Sequence, residues 1–130
     1  MTDPIADLLT HIKNSYMAGK KQVTVSHSKM REAMVNLLSR HGYLGKVGIE
    51  KKDKIKKTII AELVYRNKEP RITQVQKIST PGKKVYVGKS EIPRVLGGLG
   101  IAVISSPLGL LTDREARKKG VGGEFICKIW

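Results

Sequence analysis

The sequence predicts an α+β protein of two small domains: an N-terminal α-β-α-β-β unit and a C-terminal, mostly antiparallel β unit with short helices. Three observations carry that prediction. Apolar residues recur at helical spacing in two early segments, then give way to the alternation expected of strands. A polar stretch, Asn67 to Pro70, contains a proline that would interrupt a sheet, and it divides the chain into residues 1–67 and 68–130. The 130 residues, 40% of them hydrophobic, suffice for one ordinary or two small cores and are too apolar for a disordered basic tail.

Asp3-Pro4 opens a helix, because Asp accepts from free amides and Pro suits the first helical position. Ile5, Leu8, Leu9, Ile12 and Tyr16 then form one apolar stripe, which fades near Gly19. Gln22 to Val25 reads as a short strand. Ser28 is placed as the N-cap of a second helix, in which Met30, Ala33, Met34, Leu37 and Leu38 share a face and Gly42 is the stop. Val47 and Ile49 alternate along a strand, Lys52-Asp53-Lys54 makes a polar turn, and Thr58 to Tyr65 is a β-rich strand.

In the second half, Ile72, Val75 and Ile78 suggest an irregular or bulged strand. Thr80-Pro81-Gly82 is a turn, and Val85 to Val87 continues as strand. Ile92 to Leu96 reads as one helical turn stopped by Gly97 and Gly98, and Ile101 to Ser105 as a buried strand. Thr112-Asp113-Arg114-Glu115 fits a capping box that starts a helix running to about Lys119 and ending at Gly120. Phe125, Cys127 and Ile129 alternate along a final strand.

Charge points to the partner. The chain carries 25 Lys plus Arg against 11 Asp plus Glu, a net charge of +14. The excess is even: 13 basic and 6 acidic residues in 1–67, 12 and 5 in 68–130. A basic tail would be lopsided, so the whole folded surface reads as adapted to a polyanion, with nucleic acid the leading class. One cysteine excludes an internal disulfide, and no apolar run approaches the roughly 20 residues of a membrane helix. No catalytic, metal or cofactor site is expected. His11, His27 and His41 are scattered, Asp7 and His11 at i, i+4 make neither a metal site nor a triad, and Gly97-Gly98-Leu99-Gly100 lacks the spacing of phosphate loops. Cys127 reads as a small core hydrophobe.

The densest information lies between Gly97 and Glu124, where Gly98-Leu99-Gly100, Ser105-Ser106, Gly109-Leu110-Leu111, Thr112-Asp113-Arg114 and Gly122-Gly123-Glu124 follow in order. Asp3-Pro4-Ile5-Ala6-Asp7 with Leu9-Thr10 and Asn14 stands at the start. Ile78-Ser79-x-Pro81-Gly82, Val85-Tyr86 and Pro93-x-Val95-Leu96 stand in the middle. Along its whole length the chain resembles the bacterial-type small-subunit ribosomal protein S-eight family. The resemblance implies two linked α+β domains binding the central domain of small-subunit ribosomal RNA and aiding assembly. Neighbouring small-subunit proteins are further implied partners, as is the messenger RNA of the protein's own operon. It implies neither membrane nor small-molecule substrate, and a place in cytoplasmic ribosomes, with plastid ribosomes left open. The sequence departs from the family at Ser106-Pro107-Leu108, where a hydroxyl, an amide donor and a polar side chain are lost, and at His11 and Lys13, where arginines are common.

By that resemblance, RNA contact is expected at Tyr86, Ser105, Ser106, Gly122, Gly123 and Glu124. Serine hydroxyls donate to and accept from base edges or ribose hydroxyls; the alternative reading is that the two serines only finish a strand. Glu124, an acid in a basic chain, reads either as a base acceptor or as the ion-pair partner of Arg114 or Arg117. Tyr86 reads as a stacking platform or as a core residue. On charge grounds, Arg114 and Arg117 of the basic helix, and Lys54 and Lys56 of the lysine-rich turn, are expected at phosphates. Rival classes are a messenger-binding regulator outside the ribosome and a protein adaptor, the latter opposed by an aromatic content of only 5%.

Overall fold

A computed structural model of the chain describes residues 3–51, 53 and 55–130. They form two compact units, Pro4–Thr73 and Gln74–Trp130, with Asp3 grouped with the second. The architecture is α+β, as the sequence predicts, with antiparallel strands throughout both units.

In the first unit, α1 (Pro4–Met17) buries Ile5, Leu8, Leu9, Ile12 and Tyr16, the predicted stripe. Gly19 follows at φ 70°, a left-handed position where glycine carries no Cβ penalty. The Tyr16 hydroxyl donates to Tyr43 O at 2.6 Å and accepts from Val64 N at 3.0 Å, and burial raises its pKa. Strand β1 (Gln22–Ser26) leads to α2 (Lys29–Arg40), whose N-cap Ser28 accepts from Arg31 N. The buried face of α2 is Met34, Val35, Leu37 and Leu38. Met30 and Ala33, expected on that face, are exposed: Met30 sits in the first turn, and Ala33 lies about 100° around the axis from Met34.

Strands β2 (Val47–Lys51) and β3 (Lys57–Glu62) complete a sheet of order β1-β3-β2. Central β3 buries Ile59 and Ala61, while Ile49 on the edge strand β2 is exposed. The strand expected to run to Tyr65 ends at Glu62, and a hairpin of β4 (Tyr65–Arg66) and β5 (Glu69–Pro70) follows. Asn67 and Lys68, at φ 52° and 68°, make its two-residue turn. Pro70 is accommodated because the neighbouring bond, Arg71 N to Val64 O, carries the ladder while the Tyr65–Pro70 pair asks no amide of the proline.

The second unit is built on β10 (Gly123–Ile129). Along one edge it pairs with β6 (Val75–Lys77) and β7 (Tyr86–Val87), and along the other with β8 (Ile101–Ser106), which pairs in turn with β9 (Gly109–Thr112). Helix α3 (Asp113–Lys119) has the predicted capping box between Thr112 and Glu115, and Gly120 ends it at φ 67°. One core gathers Val95, Ala102, Ile104, Leu111, Ala116 and Phe125.

Two local expectations change, and one strand lies where none was assigned. The helical turn is a 3-10 turn at Leu96–Gly98, so Gly97 and Gly98 lie inside it; Leu96, Gly97 and Gly98 all have positive φ. The stretch after Ser106 forms strand β9, with Pro107 and Leu108 as the hairpin turn between β8 and β9. The final strand does not alternate simply. A bulge at Ile126 pairs Phe125 with Ile104 but Cys127 with Val103, so Phe125 faces the core cluster and Cys127 faces the opposite side. The Ile126 carbonyl accepts from both Ile78 N and Ser79 N, which holds the bulge.

Candidate nucleic-acid interface

The bulge has a direct effect on the surface. Upstream of it, Glu124 pairs with Tyr86 on one side and with Ser105 on the other, and Ser105 pairs with Leu110. Directly opposed residues on antiparallel strands share a face, so Tyr86, Glu124, Ser105 and Leu110 form one row across four strands. Phe125, Ile104 and Leu111 occupy the opposite, core-facing side. Tyr86 is 69% exposed, which decides against a core role for its ring.

Glycine brings these strands together. A Cβ on Gly122 would run into the Val87 carbonyl and Gly88, and one on Gly123 would run into the Ser105 carbonyl. Only a hydrogen at each position lets β7, β10 and β8 approach closely enough to set the row.

The polar members differ in how much bonding capacity they keep. Ser105 and Ser106 both lie at the end of β8, Ser106 at the mouth of the hairpin. The Ser106 hydroxyl donates to Gly109 O at 2.8 Å and accepts from Leu108 N at 3.1 Å, so it closes the turn. Among the described residues the Ser105 side chain has no hydrogen-bond partner, leaving its donor and acceptors available.

Glu124 bonds with neither Arg114 nor Arg117. Its Oε2 accepts from the hydroxyl of Ser79 and lies 3.6 Å from Lys84 Nζ. Ser79 is fully buried, its Oγ also accepts from Val85 N at 3.2 Å, and its carbonyl accepts from Lys77 Nζ at 2.6 Å. Sequence reasoning missed Ser79 and Lys84 as neighbours of Glu124. The available signal was a serine inside an apolar strand pattern, just before the Pro81-Gly82 turn.

The helix arginines lie apart from the row, on α3, and have separate tasks. Arg117 pairs with buried Asp113 at 2.9 Å and donates to the carbonyls of Pro93 at 3.3 Å and Ile92 at 3.5 Å. Asp113 in turn accepts from Ala102 N at 3.2 Å. Arg114 is exposed and donates to the Gly98 carbonyl at 3.3 Å. Lys56 is exposed in the first unit, where Asp53 accepts from Ile55 N and Lys56 N, which lowers its carboxyl pKa. Lys54 lies outside the described residues.

Among the described residues there is no group of three or more side chains placed to hold a metal, and no helix long and apolar enough to cross a membrane. Burial pushes the Cys127 thiol up to about 12, far from a reactive thiolate.

Comparison with known proteins identifies the family. The model of ribosomal protein S8 matches residues 3–130. The chain belongs to the ribosomal protein S8 family. It is 52% identical over 132 residues to small ribosomal subunit protein uS8 of Natranaerobius thermophilus, covering 100% of this chain and 98% of that one. The uS8 proteins of Moorella thermoacetica, 49% identical over 131 residues, and Dictyoglomus turgidum, 48% identical over 130, are covered to 100% and 98% of their lengths. Family membership makes the chain a structural constituent of the small ribosomal subunit and not an enzyme.

Proposed function

We propose that the chain binds the central domain of small-subunit ribosomal RNA and helps that domain fold during assembly. The observation that carries this reading is the row of an exposed aromatic ring, a carboxylate and an unengaged hydroxyl at Tyr86, Glu124 and Ser105. Structured RNA displays unstacked bases and ribose hydroxyls at irregular points, and such a row offers stacking, an acceptor for base amino groups and a two-way hydroxyl.

The glycines at 122 and 123 act by allowing the strands to converge, and Ser106 acts mainly by closing the hairpin that carries Ser105. Arg114, Lys54 and Lys56 supply phosphate attraction without sequence preference, while Arg117 chiefly tethers residues 92–93 to α3. The same surface would accept a similar fold in the messenger RNA of its own operon, and neighbouring small-subunit proteins would cover other faces.

The test is binding of the full chain to a central-domain ribosomal RNA fragment and to a scrambled RNA of equal length, across a salt series. Four to six phosphate contacts predict a log–log slope between about −3 and −5 with the cognate RNA. Alanine at Lys54 and Lys56 should weaken both RNAs alike and flatten that slope. A slope near zero, or equal affinity for the two RNAs, would overturn the proposal.

A further inference from the structure

We propose that Ser79 is a positioning residue for RNA recognition, acting through Glu124. The inference rests on the reading that Glu124 touches RNA, and deepens it by naming what aims the carboxylate. A glutamate side chain has three rotatable bonds, and one at a strand surface would ordinarily sample several rotamers. Here Ser79 holds one of its two oxygens by donating to Oε2, while Oε1 has no such partner on Ser79.

Ser79 itself has no freedom to follow. It is fully buried, its hydroxyl accepts from Val85 N, its amide donates to the Ile126 carbonyl at the bulge, and its carbonyl receives Lys77 Nζ. Three contacts, to β6, to β10 and to the residue just before β7, therefore fix the donor that fixes the carboxylate. Val85 leads directly into Tyr86, so one hydroxyl sets two members of the row: the carboxylate by donating, and the base of the tyrosine strand by accepting. Lys84, 53% exposed and 3.6 Å away, adds charge but is too solvated to define a rotamer.

A residue that acts through another gives a distinct signature in a double-mutant cycle. The full chain is compared as wild type, Ser79→Ala, Glu124→Ala and the double variant, with the cognate to scrambled RNA affinity ratio as the readout. Ser79→Ala and Glu124→Ala are each expected to lower that ratio about tenfold, the scale of one base contact. The double variant should fall no further than Glu124→Ala alone, and the salt slope should stay at its wild-type value throughout. Ser79→Thr, which keeps the hydroxyl, should hold the ratio within about twofold of wild type on that same scale. Should Ser79→Ala fail to fold, Ser79→Cys fills the space with only a weak donor and is expected to show the same loss.

The outcomes separate the two ideas. An unchanged ratio in Glu124→Ala would overturn the reading of Glu124 as an RNA contact, and with it the proposal. A large effect of Glu124→Ala with none from folded Ser79→Ala or Ser79→Cys would overturn the positioning role alone. A loss from Ser79→Ala that is equally large in the Glu124→Ala background would show that Ser79 acts through the fold and not through the carboxylate.

Discussion

Replacing Asp113 by alanine tests how the second unit is held. The side chain is 2% exposed and accepts from Ala102 N at 3.2 Å and from Arg117 Nη2 at 2.9 Å. Ala102 is fully buried, so its amide loses its acceptor with no water to replace it, costing about 1–3 kcal/mol. The Arg117 side chain is 26% exposed, and solvent screening limits the loss of its ion pair to about 1 kcal/mol. The sum is about 2–4 kcal/mol. For a unit of this size each kcal/mol lowers Tm by about 4–8 °C, which predicts a fall on the order of 10–25 °C. Asp113→Asn keeps an oxygen for the Ala102 amide and should cost well under half as much. Thermal unfolding followed by circular dichroism reads both, with the RNA affinity ratio measured well below each Tm. The ratio should stay near wild type, because neither Asp113 nor its tether belongs to the Tyr86–Glu124–Ser105 row. A Tm for Asp113→Ala within 2–3 °C of wild type, about half a kcal/mol on the same scale, would refute the reasoning.

Two further outcomes follow from the same structure. Gly123→Ala forces a Cβ against the Ser105 carbonyl and should cost about 1–3 kcal/mol, the usual range for overpacking, with a matching loss of RNA discrimination; chemical denaturation and binding together check it. Cys127 should resist thiol reagents in the native protein near pH 8 and react on unfolding. Its folded pKa is raised, so its contribution to stability is complete below pH 9.0 and declines as pH rises toward about 12; a Cys127 that reacts while the protein remains folded would contradict this.

What the residues disclose by themselves is what local chemistry decides. The Thr112–Glu115 capping box, the Ser28 cap and the α1 stripe depend on residues a few positions apart, and each is where the spacing places it. The features that make the surface depend on distant partners. The β10 bulge exists because Ile78 and Ser79 amides converge on Ile126, and the Ser79–Glu124 bond joins residues 45 apart. Register, not composition, turns Tyr86 outward beside Glu124. Pro70 looked like a break because sequence cannot tell which strand positions are asked for an amide. The Asp113–Arg117 pair was within reach of i, i+4 reasoning, but the cluster of basic residues on α3 suggested phosphate instead.

Ser105 gives the most direct test of RNA recognition by the row. Its hydroxyl has no side-chain partner among the described residues, so Ser105→Ala removes recognition chemistry without removing a bond of the fold. Ser106→Ala is less clean, since it also opens the hairpin bonds to Gly109 and Leu108. The measurement is the affinity of full-length Ser105→Ala for the central-domain ribosomal RNA fragment and for its scrambled counterpart, at one salt concentration and with Tm recorded. The expected result is an unchanged Tm and scrambled-RNA affinity, with cognate affinity lower by about 1–3 kcal/mol because an RNA group is left unpaired. Cognate and scrambled affinities that both stay at wild-type values would contradict recognition through the Tyr86–Glu124–Ser105 row.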